Sequence, residues 1–173
     1  DGDGQFDDAT GINPQVLFPQ DGSHPVSVRV SDGELFDVDS AVVTVVNVVP
    51  TVEAPSITGA DAEGGIVTLS AAFSDPGALD SHTCTVQWGD GSPPEVGMVT
   101  AGVCTDDHVY ADNGDYDVTV EIADGAGSDA QSGTATISNA DPVLAPMAPI
   151  EVAEGTPITG ITTPFTDPGS ADT

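Results

Sequence analysis

The stretch HPVSVRVSDG (His24 to Gly33) returns later in the chain as YDVTVEIADG (Tyr116 to Gly125), a displacement of 116 − 24 = 92 residues. The same displacement carries Phe18 onto Tyr110, Pro50 onto Pro142, and FSDPG (Phe73 to Gly77) onto FTDPG (Phe165 to Gly169). It slips to 91 between Glu63-Gly64 and Glu154-Gly155, and to 87 between the GDG triplets at Gly2 and Gly89, as changes of loop length require. An internal period of this size predicts one sandwich-sized unit per repeat.

Inside the period the pattern is that of strands. Cys84, Val86 and Trp88 alternate with Thr83, Thr85 and Gln87 up to the break at Gly89-Asp90-Gly91. Tyr116, Val118, Val120 and Ile122 then alternate with Asp115, Asp117, Thr119 and Glu121. Period-two alternation between Gly, Pro, Asn and Asp clusters marks half-buried antiparallel strands. Strands are expected near 56–58, 66–73, 82–88, 95–100, 103–109, 115–123 and 130–138, and no stretch has a helical period. The fold class is therefore all-β. WGDGS followed by HVYADNGDYDVTVEIADG resembles the PKD (polycystic kidney disease) repeat, an immunoglobulin-like antiparallel β-sandwich. That resemblance implies extracellular display at a cell surface, with contacts to protein or polysaccharide.

The resemblance divides the chain into residues 1–50, the C-terminal part of a PKD-like module; 51–142, a complete module; and 143–173, the N-terminal part of a further one. The breaks fall at NVVPTV (Asn47 to Val52) and NADPVL (Asn139 to Leu144), where proline ends a strand and stiffens a linker. Neither partial module buries enough apolar surface to offset its chain entropy. Laid on the complete repeat, Thr173 falls near Ser81 and Asp1 near Trp88, so the two partial modules together make nearly one domain. Either the chain is one period of a longer tandem array, or copies complete each other head to tail by strand exchange. Both imply an extended assembly.

Charge narrows the partners. There are 29 acidic residues, 22 of them Asp, against one Arg and no Lys, a net charge of −28. Such a surface has almost no cation with which to displace the counterions of nucleic acid, or to bind an anionic membrane. Carboxylates this dense suit bound Ca²⁺, an oxygen-seeking cation. They also suit high salt, where the Debye length falls to about 3 Å at 1 M. No apolar run reaches the ~18 residues of a membrane span. The chain opens inside a motif, as a piece of something longer does, so the lack of a leader says nothing about location.

Two groups of residues are candidates for calcium. DGDGQFDD (Asp1 to Asp8) resembles D-x-D-x-D-G calcium loops, with Asp1, Asp3, Asp7 and Asp8 as ligands and a solvated acidic turn as the alternative. The second group recurs at module junctions: Asn139, Asp141, Glu154 and Asp167 at one, and Asn47, Glu63 and Asp75 at the other. Some PKD modules resemble cadherins in gathering such residues around an interdomain ion; otherwise these are turn formers. Asp90 and Asp124 are expected as turn residues, and Trp88 and Tyr116 as core aromatics. Cys84 and Cys104 are expected as a disulfide, with two buried thiols as the alternative; the bridge would stabilise by ~3 kcal/mol. No Ser or Cys has a recognisable base partner, so no enzyme is expected. The sequence thus points to a calcium-stiffened structural repeat of a surface protein or filament. The rival is a carbohydrate- or protein-binding accessory module of a secreted hydrolase.

Overall fold

A computed structural model describes residues 5–169. Twelve strands and no helix lie in that range. β1 (Gly22–Ser31) and β2 (Phe36–Val45) form an antiparallel hairpin. The central unit comprises β3 (Thr51–Val52), β4 (Ser56–Gly59), β5 (Ile66–Ser74), β6 (Thr83–Gln87), β7 (Glu95–Thr100), β8 (Val103–Val109), β9 (Gly114–Ala123) and β10 (Ser128–Ile137). Two short strands follow, β11 (Val143–Leu144) and β12 (Phe165–Thr166). The long strands fall within two residues of the alternation pattern. β3 is too short to leave a pattern: its Val52 is in the core and Pro50 before it is buried, so the second half of the expected linker is already the first strand.

The central unit is an antiparallel sandwich. One layer runs β10-β9-β6, the other β8-β5 with β3 and β4 both on β5. β7 joins them by changing partner midway, pairing β6 through Glu95–Gly97 and β8 through Met98–Thr100. Between the layers lie Leu69, Val86, Trp88, Tyr110, Val118, Val120 and Ile122, all fully buried. At ~1.5–3 kcal/mol for each large apolar side chain removed from water, this cluster holds the sandwich closed. Cys84 on β6 and Cys104 on β8 are disulfide-bonded with Cα atoms 6.1 Å apart, tying one layer to the other. Gly97 lies over the bridge, where an added Cβ would sit 2.7 Å from the Cys104 sulfur and 3.0 Å from the Cys84 sulfur. Only glycine leaves room for the disulfide there.

Pairings recur at the sequence displacement. In β1–β2, Gly22 faces Val45 and Ser31 faces Phe36; in β9–β10, Gly114 faces Ile137 and Ala123 faces Ser128, each 92 residues on. Val143 and Leu144 face Thr166 and Phe165, just as Thr51 and Val52 face Ser74 and Phe73. The strand-entry corner recurs as well. Tyr116 stacks on Tyr110 at 4.2 Å and its hydroxyl donates to the Asp112 carbonyl at 2.9 Å. His24 packs on Phe18 at 4.8 Å and its Nε2 reaches the Gln20 carbonyl at 3.0 Å. A tyrosine tethering its own strand entry is a recurrent corner of immunoglobulin-like sandwiches. What differs is cover: Val120 and Ile122 are fully buried, whereas their counterparts Val28 and Val30 are 61% and 68% exposed.

Candidate functional site

Three carboxylates converge where the β1–β2 hairpin meets the sandwich. One oxygen from each of Asp75, Asp80 and Asp124 lies within 4.8 Å of the others, all on half-buried residues. Among the described residues this is the one cluster of three or more His, Cys, Asp or Glu donor atoms. Asp75 follows β5 in the DPG turn; its Oδ1 accepts the Gly77 amide at 2.7 Å and its Oδ2 lies 3.0 Å from His82 Nε2. Gly77 is wedged between two of the acids: a Cβ there would overlap the Asp80 carboxylate and press on that of Asp75. Asp124 directly follows β9 and accepts the Ala126 and Gly127 amides, both at 2.8 Å.

The preceding hairpin and its linker supply the remaining partners. Asn47 Nδ2 donates to Asp124 Oδ2 at 2.8 Å. Gln20 donates from Nε2 to Asp80 and accepts the Leu79 amide on Oε1, and the Ala78 amide donates to the Pro19 carbonyl. A cleft of about 90 Å³ runs between Phe18, Pro19, Val45 and Val48 on one side and Pro76 and Gly77 on the other. The Asn47 amide, then those of Ala126 and Gly127, hold the Asp124 carboxyl below the ordinary carboxylate range. It therefore stays charged beside two other acids, with no Lys in the chain and the one Arg elsewhere, over the Phe6 and Phe36 rings.

The junction group expected from sequence is split by this geometry. Asn47 and Asp75 lie at the same end of the sandwich, each beside Asp124. Glu63 does not join them: it precedes β5 and Asp75 follows it, so the nine residues of that strand hold them roughly 30 Å apart. Glu63 is instead buried at the far end of the sandwich, where its Oε1 accepts the Ala140 amide at 2.8 Å. It therefore belongs with the linker that leaves the sandwich. Asp167 repeats the local turn of Asp75, accepting the Gly169 amide at 3.2 Å, while Asp141 and Glu154 are exposed. Asn139 also lies exposed in that linker. Asp1 and Asp3 lie outside the described residues, and Asp7 and Asp8 are exposed in an irregular segment.

Two ligand candidates escaped the sequence reading. Asp124 does hold its turn as expected, but the same side chain also reaches Asn47. Asp80 carried a signal: FSDPGALD and FTDPGSAD both place Asp five residues after the first Asp, at 80 and 172. Asp90 is a turn residue, accepting the Ser92 amide and hydroxyl on Oδ1. Its Oδ2 meets His108 Nε2 at 2.8 Å, and the imidazole stacks on Trp88 at 4.9 Å. Burial pushes the Asp90 carboxyl up, but the Ser92 bonds and His108 outweigh it and bring it to about 2.

The PKD domain profile matches residues 47–138, more than half of the chain and the whole of the sandwich just described. The chain belongs to the PKD-domain family. Among solved structures, the PKD domain of an M14-like peptidase from Thermoplasmatales archaeon SCGC AB-540-F20 is similar at 23% identity. The match covers 53% of this chain and 98% of that one, with a TM-score of 0.44. No curated protein matches. PKD domains are generally non-catalytic modules of extracellular or secreted proteins, and this sandwich has the build of one.

Proposed function

We propose that this chain is a structural spacer of an extracellular or surface-anchored protein. Its PKD modules are set in line, and a divalent cation, calcium, stiffens the junction ahead of the sandwich. The observation that carries the reading is the convergence of Asp75, Asp80 and Asp124 at the point where Asn47 and Gln20 enter from the hairpin side. Calcium takes six to eight oxygens. Three carboxylates supply three to six, and Asn47, with its amide turned over, would offer its carbonyl oxygen. An ion held by both sides would remove the bending freedom of a short linker and relieve repulsion between the acids.

Extracellular placement is supported by the Cys84–Cys104 disulfide, which persists in oxidising compartments. Against a sugar-binding accessory role stands the placement of the aromatics: Trp88 and Tyr110 are fully buried and Phe73 and Tyr116 pack on the core, so the sandwich offers no row of flat rings. The test is thermal unfolding in excess calcium and in excess chelator, with Asp80→Asn as the control. Calcium raises the melting temperature of the native chain and leaves the variant nearly unmoved. Superimposable curves for the native chain in the two buffers would remove the ion from the account.

A further inference from the structure

The chain has four asparagines, followed by Pro14, Val48, Gly114 and Ala140. Asparagine can close a five-membered ring on its own backbone when the amide nitrogen of the next residue attacks its side-chain carbonyl carbon. A side chain on that next residue obstructs the approach, and glycine leaves it open. Asn113 is the asparagine that precedes glycine, and it lies exposed in the bend just ahead of β9. Among the described residues its bonds run through its backbone. The Asn113 amide donates to Asp112 Oδ1 at 3.0 Å, and its carbonyl lies 3.3 Å from the Tyr116 hydroxyl. Gly114, at φ +150°, forms the end pair of the β9–β10 ladder with Ile137, where pairing frays first. The first copy of the repeat already carries the acid at this place: displaced by 92 residues, Asn113-Gly114 is Asp21-Gly22, with Gly22 at φ +118°. That corner is closed with aspartate in it, since His24 Nε2 reaches the Gln20 carbonyl at 3.0 Å as the Tyr116 hydroxyl reaches that of Asp112 at 2.9 Å.

We infer that Asn113-Gly114 is a self-modification site, where the chain deamidates and the isoaspartyl product releases the Tyr116 corner. The Gly114 nitrogen gives its proton to water and bonds to Asn113 Cγ. The bond from Cγ to the side-chain nitrogen breaks, and ammonia leaves carrying a proton returned by water. A second water then opens the cyclic imide at either carbonyl. Opening at Cγ leaves aspartate in an ordinary backbone, the state that Asp21 already occupies. Opening at the main-chain carbonyl routes the backbone through the side chain and lengthens it by one methylene. The lengthened stretch lies between Asp112 and Tyr116, the two residues that the hydroxyl tether joins. Tyr110, two residues ahead of Asp112, accepts the Gly64 amide on its carbonyl at 2.9 Å, and Gly64 lies against Pro168. The change therefore acts at the outgoing end of the sandwich and is independent of a cation at Asp75, Asp80 and Asp124.

The test is ageing of the full chain in warm, mildly alkaline buffer, read by peptide mass spectrometry and by melting temperature. The peptide carrying Asn113 gains the mass of an amide-to-acid exchange while those carrying Asn47 and Asn139 stay as they were. Methylation by an isoaspartyl methyltransferase marks part of the converted peptide. Isomerisation at Asp21-Gly22 or another Asp-Gly pair leaves the mass unmoved and is told apart by that. The isoaspartyl fraction melts about 5 °C lower, the effect of one lost hydrogen bond on a domain of this size. Fresh Asn113→Asp melts close to the native chain. Asn113→Gln, whose longer side chain cannot close the five-membered ring, keeps its mass and its melting temperature on ageing. Asn113 that outlasts Asn139, an isoaspartyl fraction that melts with the unaged chain, or a fresh Asn113→Asp that melts as low as the aged one would each overturn the inference.

Discussion

Gly97 shows how much of this sandwich depends on single atoms. It is buried, with no strained backbone of its own, and both sulfurs of the bridge lie where its side chain would be. Gly97→Ala should destabilise the domain by about 1–3 kcal/mol, the usual effect of overpacking a core, measured by denaturant unfolding with the disulfide intact. A variant as stable as the native chain would show that the bridge can shift at no cost. Asp90 gives a second residue-scale test. Its folded-state carboxyl is depressed to about 2, so its contribution is present above the ordinary value of 3.8 and is lost as pH falls from there towards 2. Asp90→Asn should flatten the acid limb of the stability profile below pH 4; an unchanged limb would place the acid sensitivity elsewhere. Asp106 runs the other way. Burial raises its carboxyl, and its Oδ2 is enclosed with no hydrogen-bond partner among the described residues. Its charged form therefore opposes folding at neutral pH. Asp106→Asn should raise the melting temperature at pH 7 and do little at pH 3.

At the scale of the element, the strands were legible because period two shows directly in the chain. Val118, Val120 and Ile122 point in and Asp117, Thr119 and Glu121 point out, as the letters read. The β7 crossover was not legible, since a change of sheet at Gly97–Met98 leaves no pattern in six residues. The junction was legible only in part. Asn47 and Asp75 follow from the repeat, but which end of a strand a residue occupies depends on chain direction, so the repeat alone does not separate Glu63, bonded to the outgoing linker, from them. Asp124 was hidden because its turn role fully accounts for it in sequence. The disulfide was open to two readings until β6 and β8 were placed in opposite layers. Replacing both cysteines with alanine should lower stability by about 3 kcal/mol, the chain-entropy value for a loop of this size; a loss near zero would mean that the core alone holds the layers together.

The whole molecule is organised by its repeat, and the central sandwich is contacted by neighbouring chain at each end. The incoming side presents Asp75, Asp80 and Asp124, and the outgoing side holds its linker through Glu63. Gly64 beside Glu63 lies against Pro168, the proline of the next DPG turn, as Phe18 and Pro76 line the first junction. The two junctions thus use corresponding turns, the constant geometry that the proposed spacer role requires. Calcium at a hundredfold over its dissociation constant should add about 2.7 kcal/mol by mass action, a melting shift on the order of 10 °C for a domain of this size. The most direct measurement is the distance between spin labels at Ser31 and Thr100, introduced as cysteines on either side of the first junction. A single narrow distribution in excess calcium that broadens in chelator, and broadens regardless of calcium in Asp80→Asn, is the predicted result. One broad distribution in both buffers would contradict it.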